Sequence, residues 1–438
     1  MNLNNFNNSS RINLQSKEYL DKLKQTSENI WDELISFSHC SAFIKLTENK
    51  EGKIEDLLAG HTTWADYYEV LRIFKHYLFE FDGNSEDEEN SELDLHSLDD
   101  LEEEELNGFY SNSKIPSTEM TFSGYPAAIS STDDYYITNN QLLIMETTIE
   151  IIDADKFRYV KNHTEFIPNF MRVLYATRFS TTAAQWPSLF NFYNSGTYSS
   201  QWMIIDYNKF KEIKGKKLSD LVINKNINEN NLVQETLEVE EGVGNSKIQN
   251  ILFVVEQDPI RIISHDITTH LLKQTYFGSY NRAFFDETNL DLNTSLIRHL
   301  YGDYLGSIKK SNRARIFQYF QGKIHTLKDL IKLLRYNNYQ GLEKNGFVKD
   351  PSLTNPSHAI SARFDLHKKK NIKKITGGID TKATSSEMIK DYRSIVINGP
   401  SEMQQTFKFS NKTKHRGIPD EIDFPYIVID KESFIKQK

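Results

Sequence analysis

Residues 40–64 read CSAFIKLTENKEGKIEDLLAGHTTW, and this stretch predicts the centre of the fold. From Cys40 onward the side chains alternate, so that Ala42, Ile44 and Leu46 lie on one face of an extended chain. A polar turn over residues 47–53 leads into a second apolar run over residues 54–61. The two runs predict an antiparallel hairpin whose first strand begins at Cys40.

Cys40 is the one cysteine in 438 residues, so it forms no disulfide within the chain. A lone cysteine is often a small buried hydrophobe, and the alternative is a reactive nucleophile. A thiol with an ordinary pKa of about 8.5 needs a neighbouring base to react at neutral pH. One candidate base is His61 across the hairpin, unless it is a hydrogen-bonded structural histidine. The other is the α-amine, with a pKa of about 7.7–8.0, that cleavage of the His39–Cys40 bond would release.

The charge of the chain is unevenly distributed. The net charge is −9, but residues 86–105 contain twelve Asp or Glu and no Lys or Arg, which leaves the rest near +3. Such a dense run of like charge predicts a solvated, disordered insertion, which we place at residues 83–114. The basic run over residues 368–374 has no interleaved aromatic residues, so a solvated loop is favoured over a nucleic-acid site.

Several functional classes lack their sequence signatures. There is no Gly-x-Ser-x-Gly elbow, phosphate-binding glycine loop or His-Glu-x-x-His helix, and one cysteine excludes the usual thiolate zinc sites. We therefore expect no metal and no cofactor. No run reaches the roughly 18 apolar residues of a membrane span. The polar first fifteen residues predict a cytosolic protein if Met1 is the true start, whereas glycosylation triplets at Asn162, Asn293 and Asn411 favour secretion.

Periodicity predicts an α+β chain. Strands are expected over residues 40–46, 54–61, 134–137, 142–151, 202–207 and 251–257, and helices over residues 16–35, 164–179 and 182–193. A further helix is expected from Tyr67 to Leu78, because these two residues, Leu71 and Phe74 have helical spacing. Residues 224–247 are polar and predict a loop. Hairpins followed by helices favour a layered α+β fold.

A series of short motifs follows the hairpin in order. They are Ser123-Gly124-Tyr125-Pro126, Asp133-Asp134-Tyr135-Tyr136, Met145-Glu146-Thr147-Thr148, Asn194-Ser195-Gly196-Thr197-Tyr198, Ser279-Tyr280-Asn281, Arg313-Ala314-Arg315, Arg335-Tyr336-Asn337 and Gly377-Gly378-Ile379-Asp380. With the hairpin, these motifs resemble the phospholipase B-like family over roughly residues 36–428. The resemblance implies an N-terminal nucleophile hydrolase fold, which is a four-layer αββα sandwich.

The resemblance also implies a function. Such a protein would cleave itself before Cys40, hydrolyse acyl ester bonds of phospholipids, or amides in the same superfamily, and be a lysosomal or secreted glycoprotein. Residues 1–39 would be a shortened helical leader, and residues 40–438 the hydrolase domain. The implied site residues are Cys40, His61 and Asn194 as catalytic groups, with Asn194 as oxyanion donor, and Trp64, Asp133 and Arg335 as pocket residues.

Two rival interpretations remain open. One is a catalytically silent paralogue that keeps the fold and binds lipid, which the short leader and the missing C-terminal cysteines favour. The other is a cytosolic Cys–His hydrolase that works without self-cleavage. The retained Cys40, His61 and Asn194 favour an enzyme.

Overall fold

The structure is a computed structural model. It describes residues 40–70, 72–79, 115–131, 134–149, 151, 156–162, 165–222, 248–292, 294, 309–341, 344, 346, 356–367, 374–401, 406–409, 415, 417–423 and 426–430. Several features predicted from the sequence lie outside the described residues, namely the leader over residues 1–39, the acidic insertion over residues 83–114, the loop over residues 224–247, Asp133, Asn293 and Asn411. Asn162 is described by its backbone alone.

Strands in the described part of the chain form two large antiparallel sheets. Sheet A has the order β11-β1-β2-β13-β14-β17, with β1 at Ser41–Glu48, β2 at Ile54–Thr62, β11 at Tyr276–Ser279, β13 at Asp380–Thr384, β14 at Ser394–Asn398 and β17 at Tyr426–Ile429. Sheet B has the order β10-β9-β8-β7-β6-β5-β4, with β4 at Ile73–Leu78, β5 at Glu119–Gly124, β6 at Tyr135–Thr138, β7 at Leu142–Thr148, β8 at Ser200–Asp206, β9 at Leu252–Gln257 and β10 at Ile262–Asp266. Short pairs join β3 at Trp64–Asp66 to β12 at Thr376–Gly378, and β15 at Thr406–Lys408 to β16 at Glu421–Asp423.

Helices flank the sheets. They are α1 at Phe157–Asn162, α2 at Asn169–Phe179, α3 at Gln185–Asn191, α4 at Tyr207–Lys211, α5 at Leu218–Leu221, α6 at Thr268–Gln274, α7 at Asp286–Asp291, α8 at Asn312–Phe320 and α9 at Leu327–Leu334. Short 3-10 helices lie at Tyr67–Glu69, Gln321–Lys323, Tyr339–Gly341, Phe364–Leu366 and Ile389–Asp391. None of the helices in the described ranges is long and apolar enough to cross a membrane.

Apolar packing arranges these elements in four layers. Between the sheets, Ile44 and Leu57 of sheet A meet Leu143 and Met203 of sheet B in one buried cluster. The opposite face of sheet A packs against α8 and α9, and the opposite face of sheet B packs against α2 and α3. The αββα sandwich expected from the sequence is therefore confirmed by the packing of the described residues.

The hairpin at residues 40–62 is confirmed, and its register positions the site. Ala42 of β1 lies opposite His61 of β2, and His61 lies opposite Lys382 of β13 on its other side. Directly opposed residues point to the same face of a sheet. Ala42 belongs to the cluster between the sheets, so His61 and Lys382 also point toward sheet B.

The helix expected from Tyr67 to Leu78 is wrong. A single 3-10 turn covers Tyr67–Glu69, and Ile73–Leu78 forms β4, which pairs with β5 at the edge of sheet B. The spacing of four large apolar residues suggested a helix, but pairing with a neighbouring strand outweighs such a local pattern. The other predicted strands and helices that lie within the described residues are confirmed with shifted ends, since β7 ends at Thr148 and α2 begins at Asn169, after Pro168.

Candidate active site

Cys40 immediately precedes β1, at the end of the layer between the two sheets. The residue is buried, with 5% of its surface exposed. Its φ angle of 78° lies in the left-handed region, which is uncommon for a residue other than glycine. The chain therefore reaches the first strand through a strained residue, and this residue carries the thiol.

Arg313, in the first turn of α8, fixes the main chain at Cys40. Its Nη1 donates to the carbonyl oxygen of Cys40 at 2.9 Å and to Ser41 Oγ at 3.2 Å. Its Nη2 donates to Asn281 Oδ1 at 2.6 Å, and the guanidinium lies 4.6 Å from the centre of the Trp64 ring. Since one planar cation makes all these contacts, Arg313 couples the nucleophile candidate to the helix layer outside sheet A.

The Cys40 thiol has a pKa well above its ordinary value. Burial is the main cause, and the nearby Glu146 carboxyl group raises the pKa further. A hydrogen bond from the Trp64 backbone amide and the charge of Lys382 act in the opposite direction. In the intact chain Cys40 is therefore a thiol and not a thiolate, and it can act as a nucleophile only with a base that accepts its proton.

His61 bridges the two sheets. Its Nε2 lies 2.8 Å from the carbonyl oxygen of Glu146 on β7. A carbonyl oxygen can only accept a hydrogen bond, so Nε2 carries the proton, and Nδ1 is the basic nitrogen of the neutral ring. The side chain is fully buried. His61 is thus held in one tautomer.

Asp134 and Glu146 form a buried pair of carboxyl groups. The hydroxyl of Tyr198 lies 3.1 Å from Asp134 Oδ2 and 3.3 Å from Glu146 Oε2. The pKa of Glu146 is well above its usual range, first because of burial and then because of the Asp134 charge. Two like charges in such a place are costly, so the pair holds a proton under conditions in which exposed carboxyl groups are ionised.

An ion pair fixes the turn between β2 and β3. Lys382 Nζ lies 2.8 Å from Asp380 Oδ2 and donates to Thr63 Oγ1 at 2.8 Å. Asp380 Oδ1 accepts from the backbone amide of Thr63 at 2.9 Å. Lys382 is fully buried, and its charge is balanced by Asp380. This network orients the backbone of Thr63 and Trp64. The Trp64 amide in turn donates a hydrogen bond to the Cys40 thiol.

The remaining predicted site residues lie at different places. Trp64 borders Cys40, and its Nε1 donates to the carbonyl oxygen of Ile360 at 3.1 Å. Asn194 Oδ1 accepts from Arg172 Nη1 at 3.2 Å and from the Gly196 amide at 3.0 Å, which leaves the Nδ2 amide as its other polar group. These two contacts fix the orientation of the Asn194 side chain.

Arg335 lies at the C-terminal end of α9. It donates to the carbonyl oxygens of Gly399 at 3.2 Å and Pro400 at 2.9 Å. It thereby holds the loop that follows β14, and its assignment to the substrate pocket stays a prediction. Asp133 lies outside the described residues, but its neighbour Asp134 belongs to the carboxyl pair.

The phospholipase B family model matches residues 2–429. The chain belongs to the phospholipase B family. It is 29% identical to phospholipase B-like protein C of Dictyostelium discoideum over 97% of this chain and 65% of that protein. It is 31% identical to phospholipase B-like protein D of the same organism over 90% of this chain and 59% of that protein. The chain thus spans about three fifths of the length of these relatives.

A comparison with solved structures gives a more distant likeness. A mutant conjugated bile acid hydrolase from Clostridium perfringens matches over 90% of this chain and 93% of that chain, at 10% identity and a TM-score of 0.38.

Sequence reasoning found the family motifs but not the polar groups around Cys40 that come from distant segments. Glu146, Tyr198 and Arg313 lie within those motifs, yet their spacing assigns them no role. Lys382 lay outside every motif. Glu146 and Lys382 each lie inside a strand of otherwise buried residues. Since an unpaired buried charge is costly, an ionisable residue in such a strand predicts a nearby polar partner, and this signal could have identified both residues.

Proposed function

We propose that the protein is a hydrolase that cleaves acyl ester bonds of phospholipids and uses Cys40 as its nucleophile. The observation that carries the proposal is the setting of Cys40. The thiol is buried at the start of β1, the Cys40 carbonyl oxygen is held by Arg313, and the Trp64 amide bonds to the thiol. Membership of the phospholipase B family supports the same assignment.

The proposal includes self-cleavage of the His39–Cys40 bond. The Cys40 sulfur attacks the carbonyl carbon of His39, a carbon–sulfur bond forms, and the bond to the Cys40 nitrogen breaks as that nitrogen takes a proton. Water then hydrolyses the thioester and restores the thiol. The left-handed φ of Cys40 supports this step, because a strained residue costs roughly 1–3 kcal/mol that cleavage would release.

Acyl transfer would follow from the new chain terminus. The α-amine of Cys40 accepts the thiol proton, and the sulfur attacks the ester carbonyl to form an acyl-thioester while the alcohol leaves with a proton. Water hydrolyses the thioester and releases the fatty acid. We assign the Asn194 Nδ2 amide to the oxyanion, since its orientation is fixed by Arg172 and Gly196 and a preorganised donor stabilises developing negative charge.

A second candidate is a Cys–His hydrolase that acts without self-cleavage. The observation in its favour is the hydrogen bond from His61 Nε2 to the Glu146 carbonyl, which makes Nδ1 the basic nitrogen. In this alternative His61 accepts the thiol proton while Cys40 stays inside the chain.

The deciding experiment combines intact mass with N-terminal sequencing of the purified protein held at about pH 5, followed by assays with phosphatidylcholine and with an N-acyl amide. Cys40→Ser and Cys40→Ala are the matched variants. A fragment that begins at Cys40, together with ester hydrolysis that both variants lose, supports the proposal. An uncut chain that hydrolyses esters moves the assignment to the Cys–His mechanism. An uncut, inactive chain indicates the silent paralogue, and hydrolysis of the amide alone indicates an amidase.

For the compartment we propose a lysosomal or secreted glycoprotein. The support is the three glycosylation triplets at Asn162, Asn293 and Asn411. Asn162 ends α1, whereas the other glycosylation triplets lie outside the described residues. A mass decrease after enzymatic deglycosylation of protein secreted by eukaryotic cells would support this assignment, and an unchanged mass would refute it.

A further inference from the structure

The outward face of α2 is apolar. Val173 and Ala176 point inward and pack on sheet B. On the other side, Phe170 is 42% exposed, Met171 is 50% exposed, and Tyr175 is also exposed. A helix on the surface of a globular protein normally places polar residues toward water. The outward face of α2 departs from that rule.

The helix layer on the other side of the molecule exposes mainly polar residues. In α9, Leu330 is buried against sheet A, while Lys328 and Lys332 face solvent. In α8 the exposed residues are Gln318 and Tyr319, and the Tyr319 ring is partnered by Lys323, whose Nζ lies 3.7 Å from the ring centre. Position in an outer layer therefore does not account for the apolar surface of α2.

The apolar surface extends beyond the helix. Phe166, 53% exposed, and Ile167 lie just before α2, and the Ile167 amide donates to the carbonyl oxygen of Tyr193, itself 51% exposed. We call Phe166, Ile167, Phe170, Met171 and Tyr193 the α2 patch. Contiguous exposed apolar residues of this kind mark interaction surfaces, whereas single ones are ordinary.

One loop joins the α2 patch to the candidate active site. Tyr193 is followed by Asn194, and the same loop carries Tyr198 before β8 begins. The Tyr198 hydroxyl contacts Asp134 and Glu146, the pair beside the Cys40 thiol. A surface that bound at the patch would therefore lie next to the loop that borders the site.

We propose that the α2 patch docks on the surface of a phospholipid bilayer and so presents the site to its substrate. This inference rests on the proposed function, because the acyl esters of phospholipids are held in such a surface. The chemistry of the patch fits an interface. Its aliphatic and phenyl groups suit the acyl region, and the hydroxyl of Tyr193 suits the headgroup region. None of the five patch side chains is charged, so no charged group loses its water when the patch enters the interface.

The test is sedimentation of the full chain with phosphatidylcholine vesicles. The double variant Phe170→Glu/Met171→Glu should lower the vesicle partition coefficient at least about tenfold, since it replaces two exposed apolar groups by charges. Leu290→Glu is the matched control, because Leu290 on α7 is 78% exposed and lies outside the patch. It should bind like the wild type. Equal binding by all three proteins, or no binding by any, overturns the proposal.

Methionine oxidation gives a second readout that needs no activity. Met171 should be oxidised by dilute peroxide faster than the buried Met145 and Met203, and vesicles should slow the Met171 reaction alone. Protection of Met171 without vesicles would overturn the proposal and assign the patch to a second copy or another segment of the chain. Cys40→Ser should bind vesicles normally, so that loss of hydrolysis and loss of docking are separate results.

Discussion

At the residue scale, Asp134 and Glu146 place two carboxyl groups in one buried environment beside Cys40. Glu146 raises the pKa of the Cys40 thiol, and it can do so only while it is ionised. Because burial and Asp134 raise the pKa of Glu146 itself, a fall in pH protonates Glu146 and removes this effect on the thiol. A carboxyl group that gains and loses a proton with pH therefore lies next to the candidate nucleophile.

We predict that Glu146→Gln lowers the pKa of the Cys40 thiol toward its ordinary value of about 8.5. The variant keeps the shape of the side chain but removes the negative charge. The measurement is the rate of alkylation by a small iodoacetamide reagent as a function of pH, which reports on one site because Cys40 is the one cysteine. Glu212→Gln, an exposed carboxylate on the surface, is the control and should leave the profile unchanged. An unaltered midpoint in Glu146→Gln would contradict the prediction.

The sequence identified the part of the site that is local along the chain. Cys40, His61 and Trp64 lie within 25 residues, so strand alternation and a hairpin suffice to place them together. Glu146 and Arg313 reach Cys40 through the stacking of the two sheets and the packing of α8. These long-range contacts depend on tertiary packing, which the spacing of residues in one segment does not contain.

At the element scale, Gly60 permits three elements to approach closely. A Cβ at this position on β2 would come within 2.6 Å of Leu334 Cδ1 on α9 and 2.7 Å of the Lys382 carbonyl oxygen on β13. The neighbouring backbone cannot move without disturbing the sheet. The absence of a side chain thus sets the distance between α9 and sheet A.

We predict that Gly60→Ala lowers the free energy of unfolding by about 1–3 kcal/mol through overpacking. Denaturant unfolding is the measurement. Gly322→Ala is the matched control, because a Cβ there has nothing within 4 Å, and its stability should stay the same or rise slightly. Equal stability of the two variants would show that α9 shifts without cost.

Glu256 on β9 connects sheet B to the segment before α7. Its carboxyl group accepts hydrogen bonds from the backbone amides of Phe284 and Phe285, and burial raises its pKa to about 7. Its unfolded pKa is near 4.5. The folded state therefore binds the proton more tightly, and the stabilisation it provides at low pH is lost as the pH rises from about 4.5 through about 7.

We predict that this loss amounts to about 3 kcal/mol, since one pKa unit corresponds to about 1.4 kcal/mol. Thermal unfolding of the wild type between pH 4 and pH 8 should show it as a falling Tm. Glu256→Gln, which cannot ionise, should fall less over the same range, whereas the exposed Glu51→Gln should follow the wild type. Parallel curves for all three proteins would refute the assignment to Glu256.

Local pattern and tertiary pairing explain which elements the sequence could predict. The hairpin, β8 and β9 have alternating or continuous apolar residues over a strand length, so their state is fixed locally. In β4, the apolar residues Ile73 and Leu78 are exposed. The strand therefore lacks the clear alternation of buried apolar and exposed polar residues that would identify it from the sequence. The strand exists because β5 pairs with it, and that information lies more than 40 residues away.

At the scale of the whole molecule, the layers share their strands. Phe43 of β1 packs in the outer layer against α8 and α9, and the next residue, Ile44, packs between the sheets. Sheet B is shared in the same way, because Leu143 faces sheet A while Trp202 packs under α2 and α3. If the helices of either outer layer detached, they would expose one face of a sheet whose other face forms the central layer.

We therefore predict that the described sandwich unfolds in a single transition. Leu143→Ala in the central layer and Leu330→Ala under α9 should each cost about 2–5 kcal/mol, because both side chains are fully buried. Circular dichroism reports on all layers, whereas tryptophan fluorescence comes from four residues, of which Trp186 and Trp202 lie in the layer under α2 and α3. In Leu330→Ala the two signals should shift together, although the substitution lies in the opposite outer layer. The prediction is contradicted if the fluorescence transition of this variant stays in place while its circular dichroism transition shifts or splits. The layers would then unfold independently, and the shared strands would not couple them.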